Sequence, residues 1–127
     1  TTNTNKQIAI IGAGPAGLMA AEMLSAAGVH VHVYDAMPSV GRKFLLAGKG
    51  GLNLTHSEAL PAFMQRYEEA AGALAPLIES FSPQHLRDFA GSFGVEAFVG
   101  SSGRVFPTDM KAAPLLRRWL ARLRARG

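Results

Sequence analysis

The chain has 127 residues, of which 48% are apolar, enough for one domain with a core and too many for a disordered tail. Fourteen glycines and seven prolines without a three-residue period exclude collagen, and the absence of cysteine excludes disulfide scaffolds, thiolate metal sites and dithiol redox chemistry, so a bound cofactor must carry any electrons that move. The net charge of +4 is local, because Lys111 to Gly127 hold six of the thirteen basic residues and no acidic one, leaving seven basic against nine acidic elsewhere.

The first residues, Thr1 to Gln7, are polar, and residues 1–6 read as a flexible tail ahead of one domain over 7–127. No run approaches the about 18 apolar residues of a spanning helix, so a soluble, cytoplasmic protein without a membrane partner is expected. Gln7 to Ile11 is an apolar, β-branched run stopped by glycine, as in a strand buried on both faces of a parallel sheet. Gly12-Ala13-Gly14-Pro15-Ala16-Gly17 follows, then a helix over Leu18 to Ala27 closed by Gly28. Val29, Val31 and Val33 alternate with His30, His32 and Tyr34 in a second strand ending at Asp35, and strand, turn, helix and strand make a βαβ unit. His30 and His32 sit on the face opposite the valines, and with no cysteine or carboxylate cluster beside them no metal site is expected.

Ala36 to Thr55 has no sustained period, but it gathers Gly41, Gly48, Gly50 and Gly51 with Arg42, Lys43 and Lys49, and a loop this long in a compact domain points to function. Helix is expected from about Ser57 to Leu74 and again after Ser82, where Ser82-Pro83 fits an N-cap and first helical position and Gly94 the stop. Val95 to Val99 and Arg104 to Phe106 flank Gly100-Ser101-Ser102-Gly103 as a hairpin. The last helix places Leu115, Leu116, Trp119, Leu120 and Leu123 on one side, with Arg117, Arg118, Arg122 and Arg124 largely off it on the wet side. Two parallel strands and a hairpin make a poor doubly wound sheet, so an incomplete, N-terminal piece of a longer protein is expected.

A glycine hexad alone is a weak signal; this one follows a strand, opens a helix and has an acid at Asp35, 18 positions after Gly17. Gly12 permits the tight turn, Gly14 lets a pyrophosphate approach the backbone, and Gly17 lets the helix pack closely on the sheet. Pro15 has no amide hydrogen, so the amides of Ala13, Ala16 and Gly17 are expected to donate to the diphosphate. Asp35 would accept from both hydroxyls of the adenosine ribose and repel a 2′-phosphate, so an unphosphorylated ribose is expected, as in FAD or NAD.

With these residues, Gly41-Arg42-Lys43-Phe44, Gly48-Lys49-Gly50-Gly51-Leu52-Asn53-Leu54-Thr55-His56 and Gly103-Arg104-Val105-Phe106-Pro107 all in order, the sequence resembles the BaiN-like NAD(P)/FAD-dependent oxidoreductases, bacterial flavoproteins with two dinucleotide-binding domains. The resemblance spans nearly the whole chain, and family members are much longer. It implies an α/β, Rossmann-like FAD/NAD(P)-binding domain in which FAD lies on Gly12 to Gly17, Asp35 and Ala36, and the glycine-rich segment runs toward the flavin ring. Arg42 and Lys43 would offer cationic donors to phosphate or ribose, Gly48, Gly50 and Gly51 would let backbone lie against the cofactor, and Asn53 and Thr55 would supply polar groups near the ring. Many members carry Arg-Cys where this chain has Gly51-Leu52, so a cysteine-dependent flavin mechanism is not available and a different or narrower substrate is implied. Hairpin packing accounts for Phe106 and Pro107 at least as well as contact with cofactor or substrate.

The leading expectation is an FAD-dependent oxidoreductase in which NAD(P)H is the reductant and a small organic molecule the substrate, with no catalytic acid or base assigned. A plain NAD-binding dehydrogenase domain would use the same turn and acid, though the long segment after Asp35 favours the larger FAD. A basic last helix binding nucleic acid or an anionic membrane surface is the third reading, weakened because Trp119 and the leucines match a helix laid on its own core.

Overall fold

A computed structural model describes residues 6–127, so the expected tail lies outside the described residues except for the exposed Lys6. The residues gather into two compact units, one running to Lys49 and resuming at Ala112–Gly127, the other spanning Gly50–Lys111.

In the first unit, β1 (Gln7–Ile11) and β2 (His30–Tyr34) pair in parallel, Gln7 beside His30 and Ile11 beside Tyr34. Helix α1 (Pro15–Ala26) connects them, with Pro15 at its start and Gly28 closing it at φ +80°. The strands are not buried on both faces as the apolar run implied. Ile10 points at the first turn of α1, whereas Gln7, Ala9 and Ile11 form an exposed row continued across β2 by His30, His32 and Tyr34. The apolar run set the strand; cover on the second face is a tertiary matter the run cannot report. The His30 and His32 rings meet edge to face at 4.7 Å, and among the described residues no group of three or more His, Asp or Glu could hold a metal.

Arg42–Ala47 forms a short helix, α2, inside the stretch that lacks a period. Six residues make under two turns, too few to set up a repeat. The last helix of the chain, α6 (Ala113–Arg126), buries Leu115, Leu116 and Trp119, each leucine contributing about 2 kcal/mol. Its arginines are not all on the wet side. Arg122 pairs with Glu22 of α1, and Arg126 donates to Glu22 Oε2 at 2.9 Å and to the Glu22 carbonyl at 3.2 Å. Glu22 is a buried charge, and two guanidiniums are what permit it to lie there.

The second unit holds an antiparallel sheet in the order β3 (Thr55–His56), β5 (Arg104–Pro107), β4 (Ala97–Val99). The hairpin of β4 and β5 is as expected; β3, only two residues long, is an addition. The helix expected over Ser57 to Leu74 is instead α3 (Leu60–Gln65), a 3₁₀ turn at Glu68–Ala70 and α4 (Ala71–Ser80). Glu68 at φ +50° breaks the run, and Pro76 sits within α4, on the exposed side where the carbonyl it leaves unpaired can meet water. Helix α5 (Pro83–Gly91) starts as expected: Ser82 Oγ accepts the His85 N–H, and His85 Nδ1 accepts the Ser82 N–H at 2.9 Å, a reciprocal cap. Among the described residues no helix is long and apolar enough to cross a membrane.

Candidate functional site

The chain leaves β1 with one more ladder bond, Gly12 N–H to the Tyr34 carbonyl at 2.7 Å, and then turns at φ +106°, which a side chain would strain. A Cβ on Gly17 would lie 1.9 Å from the Gly12 carbonyl oxygen and 3.3 Å from Ile10 Cγ2, so the first turn of α1 rests directly on the loop that leads into it. Gly14 differs from both. Its φ of −83° suits any residue, and a Cβ there would meet no atom within 4 Å. Neither conformation nor packing requires glycine at position 14; its bare backbone faces open space at the positive end of α1. The first helical bond runs from Leu18 N–H to the Gly14 carbonyl at 2.9 Å, which leaves the Ala16 and Gly17 amides without helical acceptors.

Strand β2 delivers Asp35 to this turn. Its Oδ2 accepts the Ala13 N–H at 2.7 Å and its Oδ1 the Met37 N–H at 2.8 Å. The Met37 amide, then the Ala13 amide, and more weakly the Arg42 guanidinium hold the Asp35 carboxyl below its ordinary value of 3.8, against a smaller opposing effect of burial. The expectation that the Ala13 amide donates to a diphosphate is corrected: that donor is committed to Asp35, leaving Ala16 and Gly17 for the task. Each Asp35 oxygen keeps a second lone pair able to accept from a hydroxyl.

A cleft of about 400 Å³ opens here, lined by Ala13, Gly14, Asp35, Arg42 and Lys43, and also by Met37, Ser39 and Leu46, which the sequence did not single out. Arg42 and Lys43 are brought to it because they begin α2, directly after Gly41 at φ +68°. Ala36 is exposed at the bend after Asp35 and does not line the cleft. The cleft thus offers the bare backbone of Gly14, an ionised carboxylate and two cations, with the Ala16 and Gly17 amides at the helix start beside it but outside its lining, a set suited to a diphosphate joined to a sugar.

The later glycines have other duties. A Cβ on Gly48 would lie 2.6 Å from Ala112 Cβ, so packing accounts for it. In the second unit, Gly51 has φ +124° and a Cβ on it would meet Met110 Cε at 2.6 Å, while Gly50 has φ +79° and open space around it. Asn53, oriented to donate, reaches the Thr55 carbonyl at 2.8 Å, and Thr55 pairs with Val105 in the sheet. Leu52 is buried, 3% exposed. Phe106 packs against Phe98 with ring centroids 5.9 Å apart and the planes tilted, and Pro107 is fully buried, in keeping with hairpin packing.

The second unit also has a cleft of about 300 Å³ lined by His56, Ser57, Glu58, Leu60, Gln84 and Arg87 among others, which sequence reading missed because β3 and α5 supply much of its wall. His56 Nδ1 accepts the Glu58 N–H at 3.0 Å, so its Nε2 carries the proton and donates to the Ser102 carbonyl at 3.1 Å. The Arg66 guanidinium holds the Glu58 carboxyl below its usual value, and Glu58 raises Arg66 in turn.

Comparison with known proteins places these features in context. The model of the family described as HI0933-like protein Rossmann domain matches residues 6–127. The chain is 47% identical over 53 residues to a ribosomal RNA dihydrouridine synthase of Haemophilus influenzae, covering 42% of this chain and 13% of that protein. It is 55% identical over 40 residues to the Escherichia coli putative oxidoreductase AegA, covering 32% and 6%. It is 53% identical over 38 residues to the small chain of Escherichia coli glutamate synthase [NADPH], covering 30% and 8%. The matched segments are a small fraction of each relative's length.

Proposed function

Since the chain belongs to the HI0933-like Rossmann-domain family, with oxidoreductases among its relatives, we propose that it is the nucleotide-holding part of an FAD-dependent oxidoreductase that takes reducing equivalents from NAD(P)H and passes them to an organic substrate. The observation that carries this reading is Gly14: a glycine that the fold does not need, beside free amides and a carboxylate held ionised. A bound flavin would supply hydride acceptance and donation. The chain's own residues do the holding. Ala16 and Gly17 donate to the diphosphate, Arg42 and Lys43 neutralise it from the opening of α2, and Asp35 takes the ribose hydroxyls. An ionised Asp35 would repel a 2′-phosphate, which favours a ribose without one. Gly50, Gly51, Asn53 and Thr55 remain the proposed contacts toward the ring, with Leu52 offering no proton there. The substrate is proposed to be a small molecule, and Arg122 and Arg126 of α6 are assigned to holding α1 rather than a nucleic acid.

The test is the visible spectrum of the purified full-length parent, with calorimetric titration of ADP, FAD, NADH and NADPH into this chain. A yellow parent and ADP binding that is lost in Asp35→Ala support the proposal. A parent that stays colourless with added flavin yet binds NADH would replace it with an NAD-binding dehydrogenase. One relative is named for action on ribosomal RNA; tight RNA binding by the parent would replace the small-molecule substrate.

A further inference from the structure

Gly41 does not line the cleft, yet it is hydrogen-bonded to Ala13, which does. Ala13 is 1% exposed and gripped from two sides: its N–H donates to Asp35 Oδ2 at 2.7 Å, and its carbonyl accepts the Gly41 N–H at 2.8 Å. Gly41 is itself buried, caps α2 at φ +68°, and accepts the Leu45 N–H on its carbonyl at 3.0 Å. Leu116 of α6 fills the space a side chain would need; a Cβ on Gly41 would lie 2.8 Å and 2.9 Å from its two methyl groups. Leu116 is 4% exposed, so yielding would disturb its own packing.

We propose that Gly41 is a positioning residue for the dinucleotide cleft, holding Ala13 by its carbonyl while Asp35 holds the same residue by its amide, with Leu116 locking the arrangement from α6. The proposal rests on the reading of this cleft as a dinucleotide site. One backbone link then sets two things together: the direction of the bare backbone at Gly14, and the start of α2 that presents Arg42 and Lys43. A side chain at position 41 would move both without touching the ligand, through a shift of α2 and loss of the bond to Ala13.

The experiment compares the wild-type chain with Gly41→Ala, Leu116→Ala, Gly41→Ala/Leu116→Ala and, as a control for plain core loss, Leu115→Ala. ADP affinity is read by calorimetry, thermal stability by circular dichroism, and exchange of the Ala13 amide by NMR. Gly41→Ala is expected to weaken ADP binding about tenfold, through a lost buried hydrogen bond and a displaced cation pair. The double variant recovers part of that loss, Leu115→Ala lowers the melting temperature with affinity unchanged, and Ala13 exchange rises about fivefold or more in Gly41→Ala. If Gly41→Ala does not fold, the double variant is read against Leu116→Ala for the same weakening. Affinity within about twofold of wild type in a Gly41→Ala protein that melts earlier would overturn the proposal, reducing Gly41 to a packing residue. If wild type binds neither ADP nor FAD, the dinucleotide reading fails by itself, and Ala13 exchange then decides the clamp: faster exchange sustains it, unchanged exchange removes it.

Discussion

Two glycine-rich segments, Gly12 to Gly17 and Gly48 to Gly51, look alike in composition and differ in what their glycines do. In the second, Gly48 yields space to Ala112, Gly51 yields space to Met110, and Gly50 is needed for its left-handed backbone. In the first, Gly12 is likewise a backbone requirement and Gly17 a packing requirement, but Gly14 is neither. Counting glycines therefore does not locate a ligand. An ordinary φ combined with empty space is not enough either, since Gly72 and Gly91 share it on exposed helix positions; at Gly14 it tells because the turn also brings helix-start amides and the Asp35 carboxylate.

Gly17→Ala should do the most damage, since its Cβ would lie 1.9 Å from a backbone oxygen that cannot rotate away. A loss of about 3 kcal/mol in urea denaturation, or no folded protein, is expected, at the upper end of overpacking costs. Gly48→Ala meets the Cβ of Ala112 at 2.6 Å and backbone no nearer than 3.2 Å, and should cost about 2 kcal/mol by the same measurement. Gly14→Ala should leave stability within about 1 kcal/mol yet weaken ADP binding about tenfold. Unchanged binding there would erase the distinction between the segments. Gly50→Ala, strained at φ +79° but unobstructed, should cost about 1 kcal/mol.

The smallest expected effect is that of pH on Asp35. Its folded value is depressed, so the stabilisation it gives the turn is fully present above the unfolded value of 3.8 and is lost as pH falls through the lower, folded value. ADP affinity should be flat with respect to this group from pH 8 to 5, an interval of about three units chosen to lie wholly above that range. A titration of affinity centred inside that interval and abolished by Asp35→Asn would show that the two amides do not hold the carboxylate as described.

Much of the first unit was legible because its signals are local. An alternating or continuous apolar run sets a strand, and Pro15 and Gly28 act on the residues beside them. The same reading missed α2 and β3, which at six and two residues are too short for any period to show, and it missed Ser39, Met37 and Leu46 on the cleft for the same reason. It placed Arg122 in water, whereas that arginine meets Glu22 a hundred positions away.

By itself the sequence determined the βαβ order, the helix start at Pro15 and the pairing of a glycine turn with an acid at Asp35, since each follows from backbone torsion or periodicity over a few residues. The tertiary structure alone decided which amides that acid consumes, which glycines serve packing, and that Leu116 closes on Gly41. Those outcomes depend on atoms brought within about 4 Å of one another from distant parts of the chain, and no local pattern records such distances.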